Sequence, residues 1–494
     1  MRSFALASVF LSLVSTAVCA DESNLTKPLS SKFLLPSAFK PPQVFKNTNL
    51  VHVVNLEKSY PKESINVVIE NTASSPQDEY YLPFTTRQME TIGALEVKDR
   101  KAPESGLFEV EAAEIDPESD TQYYRIRLPK PLAPKAQQTL GITYHFLSAL
   151  DPLPATIQQK ENQYLVYTFS AYCPSAYVTL KQKTEVKFPT TNVREHTVIP
   201  GTGKEPQSPQ IQGTKYTYGS FGEVPAGAYE PVRVRYEFTK PLIHVSRLER
   251  DIEVSHWGGN LAFEERYTMT NRAANLSSGF SRTQFAQDAY YNPQSPAIKE
   301  LKFPLRVGSL TPYFTDVIGN VSTSRFRSNK REANLELKPR YPVYGGWNYP
   351  FRVGWDADLK KFLRKLTTGD GYVLNAPFLE GPKQPEGVEY ELVELRVILP
   401  EGATNVKYST TVPVVSESIT MHKTFMDTIG RTTLTLTSIN VVDDLRDREI
   451  IVTYDYPFMA GLRKPLVIFS GVMSLFVAAW AIGSLDVAIK ARSS

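Results

Sequence analysis

The nine residues "LVHVVNLEK" at 50–58 return as "LIHVSRLER" at 242–250, with Leu, His, Val, Leu and Glu unchanged and Val/Ile and Lys/Arg at two further places. A run rich in β-branched residues follows each, "VVIENTA" at 67–73 and "YTMTNRA" at 267–273. This self-similarity predicts a duplicated β domain, the second copy starting near Lys240 after the proline-flanked "FTKPL". The echo also puts His52 and His244 at one strand position, which points to packing or capping and away from catalysis.

Outward from the echo the texture stays that of strands. "SINVVIEN" (64–71), "QYYRIRLP" (122–129), "QTLGITYHF" (138–146), "PVRVRYEF" (231–238), "EYELVELRVILP" (389–400) and "REIIVTYDY" (448–456) alternate or are β-branched, separated by Pro, Gly, Asn and Asp. Short strands with frequent turn signals predict antiparallel sandwiches. The expected fold is mainly β: two tandem β-sandwich-like domains, 21–240 and 241–459, with few helices. One helix is expected at "DADLKKFLRKL" (356–366), where Leu359, Phe362, Leu363 and Leu366 share a face.

Composition adds few constraints. Lys and Arg total 55 against 52 Asp and Glu, a net charge of +3, so neither nucleic acid nor a highly charged partner is indicated. The 26 Tyr, 25 Phe and 36 Pro favour strands and prolyl loops.

The two ends speak for a membrane-anchored, translocated chain. "MRSFALASVFLSLVSTAVCADES" has Arg2, an apolar run and Val18-Cys19-Ala20, the pattern of a secretory signal peptide (1–20) cut after Ala20. Cys173 would then be the single cysteine, and no intrachain disulfide is expected. From Pro465 to Ser484 there are 20 residues without a charge, long enough to cross a bilayer of about 30 Å. The expected order is a transmembrane helix at 465–489 and a cytoplasmic tail at 490–494, with the bulk of the chain lumenal. Sequons at Asn24, Asn275 and Asn320 are candidate glycan acceptors. On the helix, Ser470, Gly471, Ser474 and Ala478 gather on one side and Phe469, Phe476 and Trp480 on the other, so the small side is the candidate interface with other membrane helices.

Catalytic patterns are wanting. "PGTGKE" (200–205) has Glu205 where a P-loop needs Ser or Thr, no HExxH, GxSxG or CxxC occurs, and the six histidines show no ligand spacing. The pair Asp356 and Asp358 has the D-x-D form of metal-binding glycosyltransferases, but at the start of the expected helix it reads as a cap. "DDLRD" (443–447) reads as a charged turn. "EVSHWGGNLAFEERYTMTN" (253–271) sets His256, Trp257, two glycines and Glu264-Glu265 together. Strand alternation places Leu261, Phe263, Glu265, Tyr267 and Met269 on one face, so the stretch reads as a structural hairpin with one displaced carboxylate, Glu265.

"VSHWGGNLAFEE" (254–265), "FTDVIGNVSTS" (314–324), "PRYPVYGGWNYPFRVGW" (339–355), "VILPEGA" (397–403) and "LAPKAQQTLGITYHFLSALDPLP" (132–154) closely resemble segments of the ribophorin I family in the same order. The short tail is like that of fungal members. The resemblance implies a non-catalytic subunit of the ER-membrane oligosaccharyltransferase complex, which transfers oligosaccharide from dolichyl diphosphate to Asn-x-Ser/Thr sequons. It implies no catalytic, cofactor-binding or metal residues here. The implied partners are the other subunits, including the polytopic catalytic subunit and small membrane subunits, together with nascent polypeptides and no nucleic acid. A membrane-anchored lumenal glycan-processing enzyme and an ER cargo receptor are the alternatives. If the ends are read correctly, the purified protein begins at Asp21 and glycosidase treatment raises its mobility. A retained Met1 with an unshifted band contradicts that topology.

Overall fold

The computed structural model describes residues 33–34, 39–114, 120–199, 208–291, 294–367, 369–424 and 427–484. Residues 1–20, expected to be a signal peptide, together with Asn24 and the last ten residues lie outside the described residues.

Two seven-stranded sheets dominate. In the first the order is Gln210–Gln212, Lys215–Phe221, Gln182–Lys187, Phe45–Asn55, Lys62–Asn71, Gln137–Phe146, Ile92–Asp99. In the second it is Ser416–His422, Arg431–Val442, Glu389–Glu401, Ile243–Ser255, Asn260–Asn271, Asn348–Asp358, Ser309–Asp316. Taken in chain order the strands of one sheet map onto those of the other without exception. Even the single parallel pairing recurs, Phe45–Asn55 beside Gln182–Lys187 and Ile243–Ser255 beside Glu389–Glu401. The smaller sheets repeat too. Val193–His196, Pro231–Glu237, Tyr164–Ser170 and Asp151–Pro152 correspond to Thr404–Thr410, Glu449–Asp455, Gly371–Pro377 and Leu363–Lys365. Glu109–Glu114, Thr121–Leu132 and Gln77–Thr85 correspond to Ser324–Ser328, Ala333–Leu337 and Leu301–Leu305.

The topology repeats, but the nine-residue echo is not its register. Phe45 faces Asn71 across the first hairpin and Ile243 faces Asn271 across the second, so Phe45 corresponds to Ile243. The bulges agree, lying between Asn47 and Asn49 in one and between Val245 and Arg247 in the other. Both place the equivalence at 243 − 45 = 198 residues, whereas the echo requires 242 − 50 = 192. His52 therefore sits mid-strand opposite Ile65 and His244 at a strand start opposite Thr270; they do not share a position. Alternating Val and Leu score well at any even offset, and register is set by long-range pairs.

The residue the repeat does preserve is asparagine. Asn71, fully buried, donates to the carbonyls of Ser75 and Leu132 and accepts from the amide of Ala73. Asn271, also fully buried, donates to Pro296 and Val343 and accepts from Ala273 and Leu242. Leu132 and Val343 each precede by five residues the next strand of their sheet, Gln137–Phe146 or Asn348–Asp358. One amide side chain thus fastens the end of a hairpin to the segment that leads into the strand beside it.

Three helices of at least six residues are described, Thr86–Thr91, Arg282–Tyr291 and Phe458–Gly483. The helix expected at 356–366 is absent. Residues up to Asp358 complete a strand paired on both sides, Leu359–Lys361 form a single 3-10 turn, and Leu363–Lys365 start another strand. A helix would surrender two ladders of hydrogen bonds, and the short turn already buries Leu359 and Phe362.

The first half holds two apolar cores, one around Phe84, Tyr144 and Ile126, the other around Leu165, Phe188 and Val234. The second half has one large core, which receives Tyr60, Ala94 and Leu147 from the first. "DDLRD" does turn, but it is no solvated loop. Asp443 accepts from Tyr60 and Lys58, and Asp444 binds Lys58 and Lys62 at 2.7 Å and faces His145 at 3.3 Å. The His145 contact and the two lysines hold the Asp444 carboxyl far below its ordinary range.

Asn71→Ala and Asn271→Ala are both expected to destabilise the protein, each by roughly 1–4 kcal/mol, and Asn271→Ala the more, because the Pro296 and Val343 carbonyls it bonds are buried whereas Ser75 is exposed and Leu132 half-buried. Thermal unfolding of the two variants checks this. A loss confined to one of them contradicts the structural repeat.

Candidate functional site: the joint between sheet and helix

Along Asn260–Asn271 buried and partly exposed residues alternate as the sequence predicts. Glu265 is wholly buried and its partner is Arg250 on the neighbouring strand, also fully buried. Arg250 reaches Glu380 at 2.9 Å and the carbonyl of Pro377 at 3.3 Å, and Tyr267 donates to Glu265 at 2.5 Å. Its guanidinium lies 5.1 Å from the ring centre of Phe263 and 5.8 Å from that of Trp355. Burial alone would lower the arginine's pKa, but the two carboxylates outweigh it and raise it, so the cation is permanent. With its charges paired inside a core, this cluster fixes the packing of three segments.

The turn after Ser255 has a different destination. His256 lies against the rings of Tyr372 and Tyr456, at 4.7 and 4.6 Å, with Nε2 2.7 Å from the Tyr454 hydroxyl. Burial pushes its pKa down to about 4, leaving a neutral packing residue. Trp257 stays exposed and donates its indole N–H to the carbonyl of Gly461 at 2.7 Å, in the second turn of Phe458–Gly483. That carbonyl is special. Its helical partner would be the amide of residue 465, which is proline and has none. Trp257 supplies the missing donor from 204 residues away.

Two more contacts hold the same turns. Lys464 binds Asp427 at 2.7 Å, and Asp427 also meets Arg431 at 3.3 Å and accepts from Thr424. Burial would raise that carboxyl, but Lys464, Thr424 and Arg431 overrule it and lower it strongly. Gly402, at φ +91°, has no room for a side chain: a Cβ there would come within 2.9 Å of Ala460. The helix therefore leaves the second sheet clamped on three sides, by an indole, a buried carboxylate and a close backbone approach. Sequence reading missed this joint, although a proline four residues after a glycine in an apolar helix is itself the signal of an orphaned carbonyl.

The other candidate residues are dispersed. Asn275 and Asn320 are both exposed, the first beside Gly346 and the second with its carbonyl bonded to Arg340. A Cβ on Gly345 would strike the carbonyls of Ala273 and Ala274 at 2.2 Å, and Gly346 has φ +76°, so the Gly-Gly-Trp segment is a close-packed turn. Ser470, Gly471, Ser474 and Ala478 lie along one exposed side of the helix. The Ser470 and Ser474 hydroxyls donate to Val467 and Ser470 carbonyls of their own helix, at 2.9 and 2.7 Å. Asp356 accepts from Asn260 and Thr311, and Asp358 caps the 3-10 turn through the amide of Lys360. His52 pairs with buried Glu63 at 2.9 Å, and Glu63 also accepts from Tyr144 and Tyr167. His244 pairs with Glu389, which also accepts the amide of Ser148 across the two halves. Cys173 is buried, and burial followed by the Glu63 charge pushes its thiol up. Among the described residues no group of three His, Cys, Asp or Glu side chains converges as metal ligands.

Known proteins share this chain's sequence over most of its length. The relatives include dolichyl-diphosphooligosaccharide–protein glycosyltransferase subunit 1 of Schizosaccharomyces pombe, 29% identical over 89% of this chain and 95% of that protein. The subunit of the same name in Caenorhabditis elegans is 29% identical over 87% of this chain and 71% of its own length. Subunit 1B of Arabidopsis thaliana is 31% identical over 92% and 96%. The profile of the ribophorin I family matches residues 45–483, from the first strand of the first large hairpin to the last residue of the clamped helix, and the chain belongs to that family.

Proposed function

We propose that this chain is a non-catalytic subunit of an ER-membrane dolichyl-diphosphooligosaccharide–protein glycosyltransferase complex. It carries two lumenal β domains (21–240 and 241–459) on one membrane helix (465–489), with a cytoplasmic tail (490–494). Its partners are the other subunits, among them the polytopic catalytic subunit and small membrane subunits. Nascent polypeptides pass near the lumenal domains on their way to the transfer site. The observation that carries this reading is the clamped helix. Its first turns are held by the second sheet, while the rest of the helix, including the side bearing Ser470, Gly471, Ser474 and Ala478, is left uncovered by the chain itself. Inside lipid, water cannot drive association, so close backbone approach through small residues is the available force. With two hydroxyls already bonded to their own helix, that side offers shape more than hydrogen bonds.

Two outcomes follow. Full-length chain separated from its partners is expected to transfer no oligosaccharide to a sequon peptide under conditions where the intact complex does; turnover by the chain alone contradicts the non-catalytic role. Gly471→Leu with Ala478→Leu is expected to reduce co-purification of partner subunits several-fold, whereas Val472→Leu with Phe476→Leu leaves it unchanged. Equal loss from both pairs, or from neither, rejects the assigned face.

A further inference from the structure

The end of the second sheet that grips the helix also carries several exposed apolar side chains. Trp257 is 69% exposed, Leu366 48%, Ile429 53% and Phe458 76%. They come from four separate segments, each linked to the first turns of the helix or to the strand that leads into it. Trp257 bonds the carbonyl of Gly461. Leu366 is bonded to Gly371, which pairs with Asp455, and the neighbouring Asp370 carbonyl accepts the amide of Tyr456. The amide of Ile429 is held by Glu401, next to the Gly402 that abuts Ala460, and Ile429 lies two residues from the Asp427 that binds Lys464. Phe458 opens the helix.

Helix length sets their height. Phe458–Gly483 has 26 residues, about 39 Å at the α-helical rise, against about 30 Å for a hydrocarbon core. Arg463 and Lys464 belong outside that core, which puts the excess of about six residues at the Phe458 end, in the headgroup layer. Arg364, Lys365 and Lys423 are exposed beside the four apolar side chains. Lys365 lies 5.8 Å from the ring of Tyr372, which packs on His256 next to Trp257. Tryptophan with aliphatic and basic neighbours is the composition suited to a phospholipid interface.

We infer that this rim, Trp257, Leu366, Ile429 and Phe458 with Lys365 and Lys423, is a membrane-binding surface that sinks into the phospholipid headgroup layer and holds the second β domain flat on the lumenal leaflet. The inference rests on the reading of Phe458–Gly483 as membrane-spanning. Together with the clamp at Gly461 it makes the lumenal mass a rigid body of set height and tilt. Val317 and Ile318 show that exposure alone does not mark the rim. They are 82% and 79% exposed, but follow Asp316, which pairs with Phe351, roughly 23 Å along the strand from its rim end at Asp358.

The test is site-directed spin labelling of the full chain in nanodiscs of phosphatidylcholine with phosphatidylserine. Leu366→Cys, Ile429→Cys, Val317→Cys and Phe476→Cys are labelled one at a time, while buried Cys173 stays unmodified. Collision of the label with oxygen and with a water-soluble nickel chelate is then measured. Labels at 366 and 429 are expected to collide with the chelate several-fold less than the label at 317 and to retain strong oxygen collision, as at 476. Labels at 366 and 429 as water-exposed as at 317, with 476 in lipid, overturn the membrane rim. Labels at 366 and 429 shielded from both reagents overturn it in favour of a protein partner. A water-exposed label at 476 overturns the membrane-spanning reading itself.

Discussion

A missing hydrogen stands at the centre of this structure. Pro465 has no amide to give the carbonyl of Gly461, and the helix would carry an unpaired acceptor there. The indole of Trp257 closes that gap. Such a bond is worth about 1 kcal/mol in net stability, which is modest. Its consequence is geometric: the helix cannot swing about its own entry point without breaking it, and Asp427 with Lys464 and the bare backbone of Gly402 resist the same motion from other directions. A proline that would ordinarily loosen a helix is the reason this one is fastened to a sheet.

The two halves share their topology strand for strand, yet they are not equivalent. Only the second ends in the helix, and only the second has a single merged core, into which the first inserts Tyr60, Ala94 and Leu147. Polar contacts cross in both senses, and Asn440 and Arg448 of the second half reach the Glu90 and Ile92 carbonyls and the Glu96 carboxylate of the first. Lys58, Lys62 and His145 converge on Asp443 and Asp444, while Glu389 gathers His244, Arg272 and the Ser148 amide. The second half thus reads as the base and the first as the part presented away from the joint. That arrangement suits a subunit that supplies surface at a defined place.

Much of this was legible in the residues, for definite reasons. Strand alternation depends on neighbours two apart, so Leu261, Phe263, Tyr267 and Met269 declared their face, and Glu265 declared itself misplaced before Arg250 was known. The apolar run after Pro465 was equally plain. What failed depended on distance along the chain. The echo of 50–58 in 242–250 signalled a real duplication at the wrong register, because the pairs that set register lie across the hairpins and not within them. The amphipathic run at 356–366 had a helical period and no helix, since the strand ladders on both sides of Asn348–Asp358 outweigh local preference. "DDLRD" looked like a surface turn because its cations, Lys58 and Lys62, are more than 380 residues away.

The central claim is that a folded, clamped and non-catalytic chain serves as one fixed part of a larger transferase. Purification of tagged full-length protein in mild detergent, with quantitative identification of what accompanies it, tests this most directly. A fixed subunit gives near one-to-one recovery with a polytopic glycosyltransferase subunit and its small membrane companions. Recovery of the chain alone, or with soluble cargo proteins in variable amounts, would contradict it.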